Sequence, residues 1–280
     1  SVLNGPNGFP AATGPTGTTN DDFTNKSVNT GIAGIPPGGN TNASGVVTFA
    51  NTVENTGNAD DIYTLTVTNF GSLPSATVIV ITTPNGTVTV DNSNQAGSVP
   101  INVARNGTAN YTVQVTLPSG QPVLTGFDVV LRATSTNTPA SVNNTIDRTY
   151  TGFIRLVKQT PVQVINGTGN GGPNDAVPGA VIVYSIAYEN ITGGNGAGAN
   201  NGLLTASNIV ISEDGSAGTN NWGTTTTMVL VPAPSDSNGG TITDGATNGV
   251  VTAATNFLKD TIATLAPGAS GTFTFRRTIK

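Results

Sequence analysis

The sequence contains no cysteine and no histidine. Those absences remove a disulfide framework, Ser-His-Asp and Cys-His catalysis, and the usual nitrogen- and sulfur-ligated zinc sites. Charge is scarce too: 9% of residues are charged, with a net balance of −5. The only basic cluster is Arg276-Arg277, read as a solvated face of the last strand. Neither nucleic acid nor an anionic membrane is therefore expected as a partner. No apolar run approaches the ~18–20 residues that a membrane-spanning helix needs, so no membrane insertion is expected. Aromatic residues make up 5% of the chain, with a single Trp. A carbohydrate-cleaving cleft wants two carboxyls and usually aromatic platforms. The adjacent acids Asp21-Asp22, Asp60-Asp61 and Glu213-Asp214 lack those platforms, and Asp260, beside Lys259, is no pair. Strings such as Gly194-Asn195-Gly196 follow a strand but open no helix, so no dinucleotide loop is expected. Nothing points to an enzyme or to a cofactor.

What is present is Thr, Asn, Ser, Gly and Val, while the usual helix formers Glu, Lys and Leu are sparse. Thr and Val are stiff at χ1 and suit a pleated surface. The organising stretch is Gly179–Thr192, GAVIVYSIAYENIT, with an earlier counterpart in Gly45–Gly57, GVVTFANTVENTG. Aligning Glu54-Asn55 on Glu189-Asn190 places Phe49 on Tyr184 and Val53 on Tyr188. Both copies alternate large apolar with smaller or polar residues, the pattern of a strand with one face on a core. A second match sets Phe273 on Tyr111, within the closing strands 271–279 and 109–117.

The fold expected is all-β: two tandem Ig-like antiparallel β-sandwich domains behind an extended N-terminal arm. The Gly- and Pro-rich residues 1–20 carry few large apolar groups, so residues 1–30 read as an arm. Within it, Phe23, Thr24, Asn25, Lys26, Ser27 and Val28 form a short strand available for donation, followed by a Pro36–Gly39 turn. Residues 31–157 form the first domain, with turns at Pro84-Asn85-Gly86, Asn106-Gly107 and Pro118-Ser119-Gly120. A single strand is expected over 146–157. Residues 158–280 form the second domain, with strands near 161–166, 180–191, 206–213, 222–231, 240–243, 249–253, 260–265 and 271–279. Residues 253–259 are allowed a helical turn, and Gly193–Gly202 is a long loop insertion.

With these residues in view, the chain resembles bacterial and archaeal surface proteins built from DUF11-type repeats. In the second domain the resemblance rests on Lys158, Pro178-Gly179, Tyr184-Ser185-Ile186-Ala187-Tyr188-Glu189-Asn190 and Leu265-Ala266-Pro267-Gly268-Ala269-Ser270. The first domain matches more loosely, through Glu54–Asp61 and Gly126–Leu131. The resemblance implies an exported location, Ig-like sandwiches, and roles in adhesion, surface layers or filaments. It implies no catalytic residues. It also raises a Lys–Asn isopeptide crosslink from Lys158, for which the last strand holds no acceptor Asn or Asp.

Two further chemistries are open. Asp60-Asp61 or Asp91-Asn92, with turn carbonyls, offer hard oxygen ligands for a structural Ca²⁺. Asn-x-Ser/Thr acceptors for glycosylation stand at Asn25, Asn42, Asn85, Asn106, Asn110, Asn143, Asn166 and Asn190. The function expected is an extracellular structural protein whose copies assemble into a filament or layer, through the N-terminal strand and an open edge on the second domain. The alternative is an adhesin or carbohydrate-binding module that engages glycans or other surface proteins through Gly193–Gly202 and Gly215–Trp222, with Trp222 stacking on a sugar.

Overall fold

The computed structural model describes residues 1–12, 21–28, 39–160, 162–163, 176–192, 204–216 and 221–280. The Gly193–Gly202 loop, Asn166, most of the Pro36–Gly39 segment and half of the Gly215–Trp222 segment lie outside those residues. The chain divides into two compact units, Ser1–Phe153 with Thr192–Leu204, and Ile154–Ile191 with Thr205–Lys280.

Unit 1 holds β1 (Val2–Pro6), β2 (Asp21–Ser27), β3 (Gly45–Asn55), β4 (Asp61–Val67) and β5 (Val78–Thr83). It continues with β6 (Gly86–Val90), β7 (Ser98–Val103), β8 (Thr108–Leu117), β9 (Gly126–Ser135) and β10 (Val142–Tyr150). One sheet runs β1-β3-β8-β5-β6 and the other β2-β10-β9-β4-β7. From β3 onward the chain crosses repeatedly between the sheets, as Ig-like sandwiches do, with β5–β6 and β9–β10 as hairpins within one sheet. Each strand supplies its face of the core by simple alternation: Tyr111, Val113, Val115 and Leu117 from β8 meet Val129, Leu131 and Ala133 from β9, and all are buried. Turn chemistry follows the expected residues. Asn106 adopts φ 53° and Gly120 φ 83°, left-handed values that Asn and Gly tolerate best.

The expected free arm is corrected here. β1 pairs antiparallel with β3 from Val2↔Asn55 to Pro6↔Asn51, and β2 pairs parallel with β10 from Asp21↔Asn144 to Ser27↔Tyr150. The first strand of the sandwich is thus shared between both sheets of its own unit. Apolar content gives no sign of this pairing, because β1 is held largely by polar groups. Asn4, 1% exposed, donates from Nδ2 to the Leu131 carbonyl at 3.1 Å and accepts the Tyr111 hydroxyl at 2.8 Å. Its backbone N–H donates to Asn143 Oδ1 at 3.2 Å. A buried polar network satisfied in this way fixes one register strongly.

Unit 2 holds β11 (Ile154–Gln159), β12 (Val162–Gln163), β13 (Val181–Asn190), β14 (Ala206–Asp214) and the single helical turn α1 (Trp222–Thr225). After these come β15 (Thr226–Met228), β16 (Ser235–Asp236), β17 (Thr241–Asp244), β18 (Phe257–Leu265) and β19 (Ser270–Ile279). One sheet runs β11-β13-β19-β15, with β12 also on β13 and β16 also on β19; the other is β14-β18-β17. The boundary falls after Phe153 rather than at Lys158, since all of β11 pairs with β13. Residues 146–157 are not one strand: Gly152, at φ 113°, breaks β10 from β11. Residues 249–253 form no strand, and 257–259 open β18 instead of closing a helical turn.

The internal repeat is real in register as well as in sequence. The alignment that puts Asn51 on Ile186 and Tyr111 on Phe273 matches the ladders, where Asn51↔Tyr111 in unit 1 corresponds to Ile186↔Phe273 in unit 2.

Candidate strand-addition edge

In unit 1, β4 is an inner strand: β7 pairs along one flank and β9 along the other, from Tyr63↔Ser135 to Val67↔Leu131. Its counterpart in unit 2 is β14, and β14 pairs only with β18, from Ala206↔Leu265 to Asp214↔Phe257. Among the described residues no strand lies along its second flank. Asn208, at φ 52°, drops out of this ladder and rephases the strand. Ile211 then points into the core at 4% exposure, while Val210 faces outward at 52%. An unpaired row of backbone N–H and C=O groups is a template for another strand. Lys158 of β11 and Glu213 of β14 form an ion pair that bridges the two sheets beside this edge, with the ammonium 5.3 Å from the Tyr184 ring centre. Lys158 is therefore engaged with a carboxylate rather than placed at an Asn. On the other sheet, the edge strand β11 exposes Leu156 and Val157.

Beneath the edge lies an aromatic cluster. Tyr184 stacks on Phe275 at 4.6 Å between ring centres and meets Trp222 edge-on at 5.2 Å. Trp222 is 3% exposed, so it is core and offers no platform to a sugar. Arg277, expected on a solvated face, is fully buried: its guanidinium lies 4.4 Å from the Trp222 ring centre. It donates to Thr226 Oγ1 at 2.6 Å, to the Thr255 carbonyl at 2.7 Å and to Asn256 Oδ1 at 3.0 Å. Burial pulls this guanidinium down to about 10, since none of these acceptors is charged. The signal was in the sequence: Phe273, Phe275 and Arg277 share one face of an alternating strand.

The remaining expected sites separate. The strand Phe23–Val28 sits in cis on β10, and Lys26 donates from Nζ to the Thr48 carbonyl at 2.5 Å. The acids considered for Ca²⁺ serve turns and neighbours. Asp60 Oδ1 accepts the Arg105 N–H, Asp61 Oδ2 the Ser135 hydroxyl, and Asp91 Oδ1 the Ser93 and Asn94 N–H groups. Of the glycosylation candidates, Asn42, Asn85, Asn106 and Asn110 are exposed. Asn25, Asn143 and Asn190 are 2%, 3% and 0% exposed, closed to a modifying enzyme in the folded chain. Asp260, which has no acidic neighbour in the sequence, lies against Asp236. Their separation along the chain leaves no local trace of that contact.

No protein-family model matches the chain, so the DUF11 resemblance rests on its motifs alone, and no curated sequence matches either. Among solved structures, the chain is similar to the N-terminal domain of PorA, at 11% identity and TM-score 0.34, over 54% of this chain and 99% of that one. It is also similar to the BspA C-terminal domain of a Streptococcus agalactiae AgI/II polypeptide, at 9% identity and TM-score 0.30, over 83% and 84% of the two chains. A Porphyromonas gingivalis W83 protein of unknown function aligns at 14% identity and TM-score 0.23, over 90% and 79%. At these TM-scores the likenesses carry no argument about activity or partner. Within the described residues, no helix is long and apolar enough to cross a membrane.

Proposed function

We propose that the chain is an extracellular structural protein whose copies assemble into a surface filament or layer by adding a strand of one copy to the β14 edge of the next. The observation that carries this reading is the internal contrast between β4, paired on both flanks, and β14, paired among the described residues on one. Unit 1 also supplies the template for the occupant: an antiparallel strand with alternating apolar residues, as in β9. A second copy suits the site because a net charge of −5 over 280 residues leaves little repulsion between like chains. A contact of this kind joins two different surfaces and propagates when it does not close. The carbohydrate-binding alternative loses its platform with Trp222 in the core.

The test is electron microscopy and light scattering of the full chain beside Val210→Lys, which sets a charge on the edge without touching the core. Ordered polymers from the parent and dispersed monomers from the variant, at equal melting temperature, are expected. Parent protein that stays monomeric at high concentration, or polymers that ignore the substitution, would overturn the reading.

A further inference from the structure

Asp260 stands in the middle of the inner face of β18, between buried Leu258 and Ile262. Across the ladders its neighbours are Ile211 of β14 and Ile242 of β17. The carboxyl thus interrupts an apolar stripe, and the residue is 0% exposed. Among the described residues, no N–H or O–H donor reaches either of its oxygens. What it meets is the Asp236 carboxyl, brought from the opposite sheet by β16.

Asp236 is well provided. Its Oδ1 accepts the N–H groups of Asn238 at 2.8 Å and Gly240 at 3.0 Å, and its Oδ2 accepts the Tyr188 hydroxyl at 2.7 Å. Gly240 lies against Asp260 Oδ1 so closely that any side chain there would collide. No base offsets the two acids. Lys259, next to Asp260, turns away to Asn248 and the Phe257 ring. Arg277 of β19 is taken up by Thr226, Thr255 and Asn256. From β13 the facing group is the Tyr188 phenol, itself held up by its own burial and by these acids.

A fully buried carboxyl in contact with a half-buried, hydrogen-bonded one cannot cheaply ionise beside it, and one proton between them removes the conflict. It also gives an oxygen of Asp260 a partner, because a neutral carboxylic acid can donate. We propose that Asp236 and Asp260 share a single proton, Asp260 donating to Asp236, and that this proton clamps the Ser235–Gly240 turn onto the inner face of β18 and frees the turn when it leaves. Burial first, and the Asp236 charge second, hold the Asp260 carboxyl up at about 7. The folded state then binds the proton more tightly than the unfolded chain, whose Asp titrates near ~3.9. The clamp is therefore complete in acid, weakens as pH rises from about 4, and is lost above about 7. The turn yields before β18 does: β16 pairs only Ser235↔Thr274 and Asp236↔Phe273, whereas β18 has long ladders on both flanks. This clamp does not depend on the use made of the β14 edge.

The test is a carboxyl NMR titration of the full chain labelled with ¹³C-Asp, run on the parent, Asp260→Asn and Asp236→Asn. One carboxyl titrating near 7 in the parent, absent from Asp260→Asn and moved to lower pH in Asp236→Asn, is the expected result. Amide exchange of Asn238 and Gly240 should accelerate across the same midpoint in the parent and stay constant in Asp260→Asn. Ordinary titration of both acids, or a midpoint unmoved by Asp236→Asn, would overturn the shared proton. Loss of the high midpoint on adding Ca²⁺ would overturn it in favour of a metal site.

Discussion

Buried polar side chains decide more here than their number suggests. In unit 1 the Tyr111 hydroxyl donates to Asn4 Oδ1, and Asn51 Nδ2 donates to Asp147 Oδ2 at 2.9 Å, with Asn51 and Asp147 both 0% exposed. Leaving a buried acceptor without its donor costs about 1–3 kcal/mol. Tyr111→Phe should therefore lower the unfolding free energy of unit 1 by that order, read from urea midpoints, and should loosen β1 first by hydrogen exchange. Asp147 gives this unit a pH dependence of its own. Burial raises its carboxyl to about 7, although the Asn51 hydrogen bond and the Lys26 charge pull the other way. A raised carboxyl binds protons in the folded state, so its contribution is present in acid and fades as pH rises from about 4 towards 7. Unit 1 of the parent should melt lower at pH 8 than at pH 5, and Asp147→Asn should flatten that slope in calorimetry. An unchanged slope would assign the pH dependence elsewhere.

Among the elements, the two N-terminal strands changed meaning most. Read from composition, residues 1–28 are removable; in the fold they contribute β1 and β2, one to each sheet. Deleting them would strip β3 of one partner over Asn51–Asn55, expose the Asn144–Tyr150 edge of β10, and remove the Asn4 acceptor of the Tyr111 hydroxyl. A chain starting at residue 29 should therefore lose the cooperative transition of unit 1 while retaining that of unit 2. A folded unit 1 in that chain would return the segment to the role of a free arm. Long strands such as β3, β8, β9, β13 and β19 were legible because period-2 alternation continues for many residues. The two-residue β16 was not, since nothing periodic fits in so short a span, and of the strand expected over 222–231 only Thr226–Met228 forms β15. Trp222, expected to open a strand, instead starts α1 and turns its indole under Arg277.

At the scale of the whole molecule, the same chain carries two related sandwiches, one with β4 inside its sheet and one with β14 paired, among the described residues, along a single flank. The Val210→Lys comparison belongs here, because strand addition is a property of copies and not of any single side chain. Edge charge should abolish association without shifting the melting temperature. What the sequence determined by itself was the β class, the internal repeat, most long strands and the absence of His- or Cys-based chemistry, because composition and local periodicity act on neighbouring residues. Only the tertiary structure decided that β1 and β2 pair within their own sandwich, that Arg277 is buried, that Asp236 and Asp260 meet, and that among the described residues β14 pairs along one flank. Each of these depends on backbone ladders and desolvation between residues far apart in the chain, and no local pattern encodes such contacts.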